Sequence, residues 1–153
     1  MLISLSSEST PDISRVGGKA ASLIRLTAEG HNVPRGAVLT AEFFQPWFDV
    51  LQESSHWQEA VSSIASSEDF SVLHAKCEHI KSEAVQLDLN PLQAAKIAEL
   101  KAMFPDDNSS YAIRSSSPEE DLVGASFAGQ YETILDVLPE HFELSIRACF
   151  VSS

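Results

Sequence analysis

The chain has 153 residues, 44% hydrophobic and 21% charged, and a formal net charge of −12 from 10 basic and 22 acidic side chains. That length fits one domain with a real core, and the acidic balance excludes a phosphate-tracking nucleic-acid binder and an anionic membrane surface as partner. Two cysteines, Cys77 and Cys149, are too few for a disulfide scaffold and read as reduced thiols.

Residues 2–5 form a candidate first strand, with no basic start of a secretory signal before it. Residues 11–18 read as a loop. From Lys19 a run of good helix formers reaches Glu29, and Gly30 supplies the residue that ends it. Val33-Pro34-Arg35-Gly36 turns the chain into a short buried strand over 37–40. Thr40 is a natural N-cap for a helix from Ala41, whose face Phe43, Phe44, Trp47, Phe48 and Leu51 is expected in the core. Residues 53–71 are Ser-rich and weakly patterned, with one short helix over 57–65.

From Val72 to Leu87 the positions Leu73, Cys77, Ile80, Ala84 and Leu87 step by four and three, which is a helix face. Asn90-Pro91 reads as an N-cap followed by proline at the first helical position. It opens a helix to Met103, with Leu92, Ala95, Leu100 and Met103 as its apolar positions. Residues 105–108 break it. Residues 111–114 form a strand, 115–129 a loop and 131–137 a second strand. Pro139 opens a last helix, which reaches Ser153 without a cap signal and is expected to continue in a longer protein. No apolar run approaches the roughly 20 residues a transmembrane helix needs, so a cytoplasmic location is expected. The fold expected is a single helix-rich α/β (α+β) domain over 1–153, with a small mixed or antiparallel sheet.

Two segments carry candidate chemistry. The first is Val16-Gly17-Gly18-Lys19-Ala20-Ala21-Ser22-Leu23. Glycines before a helix let backbone N–H groups approach an anion, and the helix start adds partial positive charge. A lysine in the first turn reaches a phosphate as a point charge. The segment is not a Walker A loop, because Ile13 and Ala20 stand where that pattern needs Gly and Ser or Thr. Taken alone, its plainer reading is a loop entering a helix with a solvent-facing lysine.

The second segment runs from Tyr111 to Val137. Arg114 ends an apolar strand and three serines follow, supplying a fork of donors and several hydroxyls. Small residues at Ala125, Ser126, Ala128 and Gly129 allow close packing of a ligand. Gly124-Ala125-Ser126-Phe127-Ala128-Gly129 misses the nucleophile elbow by one residue, and no histidine lies nearby as base, so a serine hydrolase is rejected. Taken alone, a Ser-rich surface linker remains open. His74, Cys77 and His79 fit core packing better than a metal site, since their spacing swings His79 off the shared face. Glu119-Glu120-Asp121 reads as a solvated loop rather than a magnesium site.

Together these segments resemble the nucleotide-binding domain of the phosphoenolpyruvate synthase and pyruvate phosphate dikinase family, which includes rifampin phosphotransferases. The resemblance is carried by Val16-Gly-Gly-Lys-Ala-Ala-Ser-Leu, by Val33-Pro-Arg-Gly-Ala-Val-Leu-Thr, and by Ala112-Ile-Arg-Ser-Ser-Ser with Glu120-Asp-Leu and Ala125-Ser-Phe-Ala-Gly-Gln-Tyr-Glu-Thr. It implies an ATP-grasp-like domain that uses ATP to phosphorylate a histidine on a separate domain, with pyruvate as final acceptor. It implies ATP-phosphate contacts from Lys19 and Arg114 and approach to the nucleotide by Gly129 and Thr133; for Ser115, Ser116 and Gln130 two readings stay open, lining the site or satisfying the backbone of their own loop. No metal ligand is assigned in this chain; the resemblance implies Mg2+ for the complete enzyme, held by a missing C-terminal half. None of His31, His56, His74, His79 and His141 has the Thr-Ser-His-Ala-like setting of the family's phosphorylated histidine. The partners implied are ATP, that missing half and a phosphohistidine domain. The isolated chain is expected to be an inactive piece of a kinase. The alternatives are a non-catalytic interaction module that keeps the fold, and the ATP-binding part of a rifampin-type antibiotic phosphotransferase.

Overall fold

The computed structural model describes residues 1–7, 12–66, 69–104, 109–116 and 133–152. In chain order the elements are β1 (Leu2–Ser4), α1 (Ile13–Ala28), β2 (Ala37–Leu39), α2 (Ala41–Glu53), α3 (Ser55–Ala65), α4 (Phe70–Ala84), α5 (Pro91–Met103), β3 (Tyr111–Arg114), β4 (Thr133–Val137), a 3-10 turn (Pro139–His141) and α6 (Phe142–Ser152). The strands make two separate antiparallel pairs, β1 with β2 and β3 with β4. The class is therefore the expected helix-rich α+β, and the sheet type left open in the sequence is antiparallel in both pairs.

The main core forms around α2. Phe43, Trp47 and Leu51 recur every four residues and are buried against Ala84, Leu87, Ile97, Leu100, Phe104, Val137, Phe142 and Ile146. Burying side chains of this size stabilises by about 2–3 kcal/mol each. Trp47 also donates its indole N–H to the Asp88 carbonyl at 2.9 Å, so its polar edge is satisfied inside the core. Phe44 is half-buried and stacks on Phe150, with centroids 5.5 Å apart. Phe48, expected in the core, instead lies at its rim, 39% exposed with its ring edge-on to Phe150. A smaller cluster of Val16, Ala20 and Ala21 seats α1 on Ile3 and Val38.

Several element boundaries correct the sequence reading. The first helix begins at Ile13 rather than Lys19, because the Asp12 carboxylate caps the Ser14 N–H at 3.0 Å and a turn forms before the glycines. Thr40 has the backbone of a cap, but its hydroxyl bonds the Glu42 carboxylate and makes no cap bond to the helix backbone. Helix α3 starts at Ser55, where Ser54 Oγ accepts from the Trp57 N–H at 3.2 Å. Helix α4 starts at Phe70, capped by Asp69 on the Ser71 N–H at 2.8 Å, and ends at Ala84, so buried Leu87 lies beyond it. Strand β4 is described from Thr133, and the expected break at 105–108 lies outside the described residues.

Helix α5 has the expected start, and its inward face includes a polar residue. Asn90 accepts from the Gln93 N–H at 2.8 Å while Gln93 accepts from the Asn90 N–H at 3.0 Å, a reciprocal cap. That exchange turns Gln93 inward, where its amide donates to the Phe43 carbonyl at 2.8 Å. Gln93, Ile97 and Leu100 are the buried positions, and Leu92 is left 53% exposed.

Candidate nucleotide site

Helix α1 is two helical segments joined across a kink. Gly17 interrupts it with φ 77 and ψ 165, in the left-handed half of conformational space that favours glycine. The helix resumes at Gly18, so Gly17 stands where an N-cap would, but it has no side chain to cap with. The acceptor comes from 96 residues later: Ser116 Oγ receives the Ala20 N–H at 3.0 Å. Ala20 is the third residue of the resumed helix, the position an N-cap side chain serves. A Cβ on Gly17 would overlap the Ser116 carbonyl oxygen. The end of β3 therefore fits a notch that only glycine leaves open.

The β3–β4 ladder places the second group. Arg114 pairs with Thr133, Ile113 with Ile134 and Tyr111 with Val137. Directly opposite residues share a face, so Arg114 and Thr133 lie together on the exposed side. Ile113 and Ile134 face the other way, onto the core. The register shifts between Tyr111 and Ile113, where Asp136 takes φ 56 and accepts from the Ser110 hydroxyl at 3.1 Å. Between Arg114 and Ser116, the Ser115 hydroxyl is shielded from solvent and has no hydrogen-bond partner among the described residues.

Of the residues singled out in the sequence, four are thus carried by α1 and the β3–β4 pair docked on it. Lys19 is half-buried in the first turn after the kink, Arg114 and Thr133 share the outermost rung of the ladder, and Ser116 is bound to the α1 backbone. Ser115 is buried at its hydroxyl beside them. Gly129 and Gln130, with the acidic run Glu119-Glu120-Asp121, lie outside the described residues. The helix start carries roughly half a positive charge, Lys19 lies in its first turn, and Arg114 is two residues from the Ser116 that caps it. No group of three His, Cys, Asp or Glu side chains lies close enough to hold a metal ion among the described residues. Any magnesium bound with a nucleotide is not assigned to them.

Two further contacts escaped the sequence reading. Arg15 Nε lies 2.6 Å from Glu42 Oε1, tying the turn before Gly17 to the first turn of α2. The Arg15 hydrogen bond, followed by that from Thr40, pulls the Glu42 carboxyl down to about 2. His56 Nδ1 lies 2.7 Å from Glu83 Oε1, and its ring centroid is 5.1 Å from that of His79. This contact crosses from α3 to α4, so spacing within α4 could not reveal it. His74, which the spacing had set beside Cys77, stacks on Phe70.

The family model described as "Pyruvate phosphate dikinase, AMP/ATP-binding domain" matches residues 13–153, starting at the first residue of α1. The chain is 34% identical over 132 residues to a phosphoenolpyruvate synthase of Escherichia coli (strain K12), an alignment covering 82% of this chain and 16% of that protein. It is 30% identical over 162 residues to a phosphoenolpyruvate synthase of Pyrococcus furiosus, covering 83% and 20%. It is 33% identical over 139 residues to an uncharacterized phosphotransferase of Bacillus subtilis (strain 168), covering 89% and 14%. The chain thus spans a fifth or less of the length of these relatives. No described helix is long and apolar enough to cross a membrane. With the Gly-Gly-Lys helix start, the Arg-Ser-Ser strand end and the family match falling on one stretch of sequence, the chain belongs to the pyruvate phosphate dikinase AMP/ATP-binding domain family.

Proposed function

We propose that this chain binds ATP through its phosphates, with Lys19 and Arg114 as the cationic contacts and Thr133 beside Arg114 on the same rung. Gly129 approaches the nucleotide from the following loop, and Gln130 and Ser115 line the site. The observation that carries this reading is the Ser116–Ala20 hydrogen bond, which joins the strand ending in Arg114 to the helix carrying Lys19. Phosphoryl transfer asks mainly for positioning and charge neutralisation, and a lysine, an arginine and helix-start N–H groups supply both.

In the wider reading the chain is one part of the ATP-binding domain of a longer, cytoplasmic phosphoenolpyruvate-synthase-like phosphotransferase. That protein transfers a phosphoryl group from ATP to a histidine on a separate domain, with pyruvate as the final acceptor and Mg2+ held by residues outside this chain. The small share of each relative that the chain covers supports this reading. The chain alone then binds ATP weakly and turns nothing over.

An NMR titration tests the nucleotide reading. ATP, raised into the millimolar range, shifts the backbone signals of Lys19, Ala20, Arg114 and Thr133. Adenosine, which lacks the phosphates, leaves them in place. Unmoved signals with ATP, or equal shifts with adenosine, overturn it and favour a non-catalytic interaction module with the same fold.

A further inference from the structure

The Lys19 helix depends on a distant residue for its start. Gly17 provides no capping side chain, its backbone is left-handed, and its missing Cβ leaves room for the Ser116 carbonyl. The Ser116 hydroxyl then takes the Ala20 N–H. Ser116 follows Arg114 by two residues at the end of β3, so one short piece of chain carries both the cap and the arginine.

We propose that Ser116 is a positioning residue: by capping the resumed helix from the end of β3, it sets where Lys19 stands relative to Arg114. This rests on the nucleotide reading above. Ser116 acts through the α1 backbone, where its hydroxyl is already engaged as an acceptor. A helix whose first turn is uncapped frays, and Lys19 lies in that first turn. Without the cap, Arg114 keeps its place in the ladder while Lys19 loses its own.

The test is amine footprinting of Lys19 combined with NMR on the whole chain. In the wild type, ATP shifts the Arg114 amide and slows labelling of the Lys19 amine. In Ser116→Ala, ATP still shifts Arg114, but at equal occupancy Lys19 is labelled as fast as without ATP. Ser116→Thr, which keeps the hydroxyl, restores the slowing. Lys19 protection that survives in Ser116→Ala overturns the proposal. Loss of both responses in a folded Ser116→Ala overturns it as well, because Ser116 would then hold the nucleotide and not the lysine. Absence of any ATP response in the wild type overturns the nucleotide reading and the positioning role together. Should Ser116→Ala fail to fold, wild-type hydrogen exchange decides: an Ala20 amide exchanging as fast as an unbonded amide sinks the proposal, and one slowed at least about ten-fold supports it.

Discussion

Arg15 and Glu42 hold the short turn of α1 that precedes Gly17, with Arg15 Nε 2.6 Å from the Glu42 carboxylate. Ser116 holds the turn that follows. The kink is thus secured from both sides by partners on different elements, one ionic and one a neutral hydrogen bond.

The ionic side predicts an acid dependence. The Glu42 carboxyl is lowered from its ordinary 4.5 to about 2, chiefly by the Arg15 hydrogen bond. A depressed carboxyl stabilises fully above its unfolded value and loses that contribution as pH falls through its folded one. Wild type therefore melts above Glu42→Gln at neutral pH, and the two Tm curves draw together between pH 4.5 and about 2. Both partners are nearly half exposed, so the gap is small and 1 M salt narrows it. A gap independent of pH contradicts the assignment.

Two glycines with positive φ should respond differently to the same change. Gly17 and Gly30 have φ 77 and 83. A Cβ on Gly30 meets nothing within 4 Å, whereas one on Gly17 overlaps the Ser116 backbone. Gly30→Ala then costs about 1 kcal/mol, the conformational term alone. Gly17→Ala costs clearly more, because β3 must also back out of the notch. Urea unfolding of the two variants measures the difference, and equal losses would dismiss the notch.

On α5 the polar residue should matter more than its apolar neighbour. Gln93→Leu strands the Asn90 N–H and removes the side-chain bond to the Phe43 carbonyl, at a cost of about 1–3 kcal/mol. Leu92→Ala, at a half-exposed site, changes stability by about 0.5 kcal/mol or less. Denaturant midpoints that rank the other way would show that the inward face has been misassigned.

Ser115 has a buried hydroxyl with no partner among the described residues. Replacing such a group with a methyl relieves an unmet hydrogen bond, so Ser115→Ala leaves Tm unchanged or raises it. A Tm drop of several degrees would mean that the hydroxyl is engaged in the folded chain.

What the sequence made legible was local. Asn90-Pro91 announces α5 because the cap and the proline act within one turn, and Gly17-Gly18-Lys19 with Arg114-Ser115-Ser116 marks the two halves of the candidate site. The rest was missed for two reasons, local exchanges that a simple pattern misjudges and partners far away in the chain. Leu92, Ala95, Leu100 and Met103 read as the apolar positions of α5, and nothing in that pattern marks Gln93, which the reciprocal cap with Asn90 turns inward. Two adjacent glycines looked like a loop, yet one residue absorbs the bend and the helix runs on either side of it. The Ser116 cap and the His56–Glu83 contact join residues on separate elements, which no short-range pattern encodes.

The Arg114–Thr133 rung has a consequence for how this region tolerates change. These two residues open and close the connection between β3 and β4, so its ends meet at a single pair in the ladder. The entropy of closing a connection grows only with the logarithm of its length, and doubling it adds about 0.6 kcal/mol. That term alone penalises added length only weakly, whereas Ser115 and Ser116, the first two residues of the connection, are held against the rest of the fold. Chain closure is thus settled at the Arg114–Thr133 rung, and the length of what lies between enters it only through a logarithm.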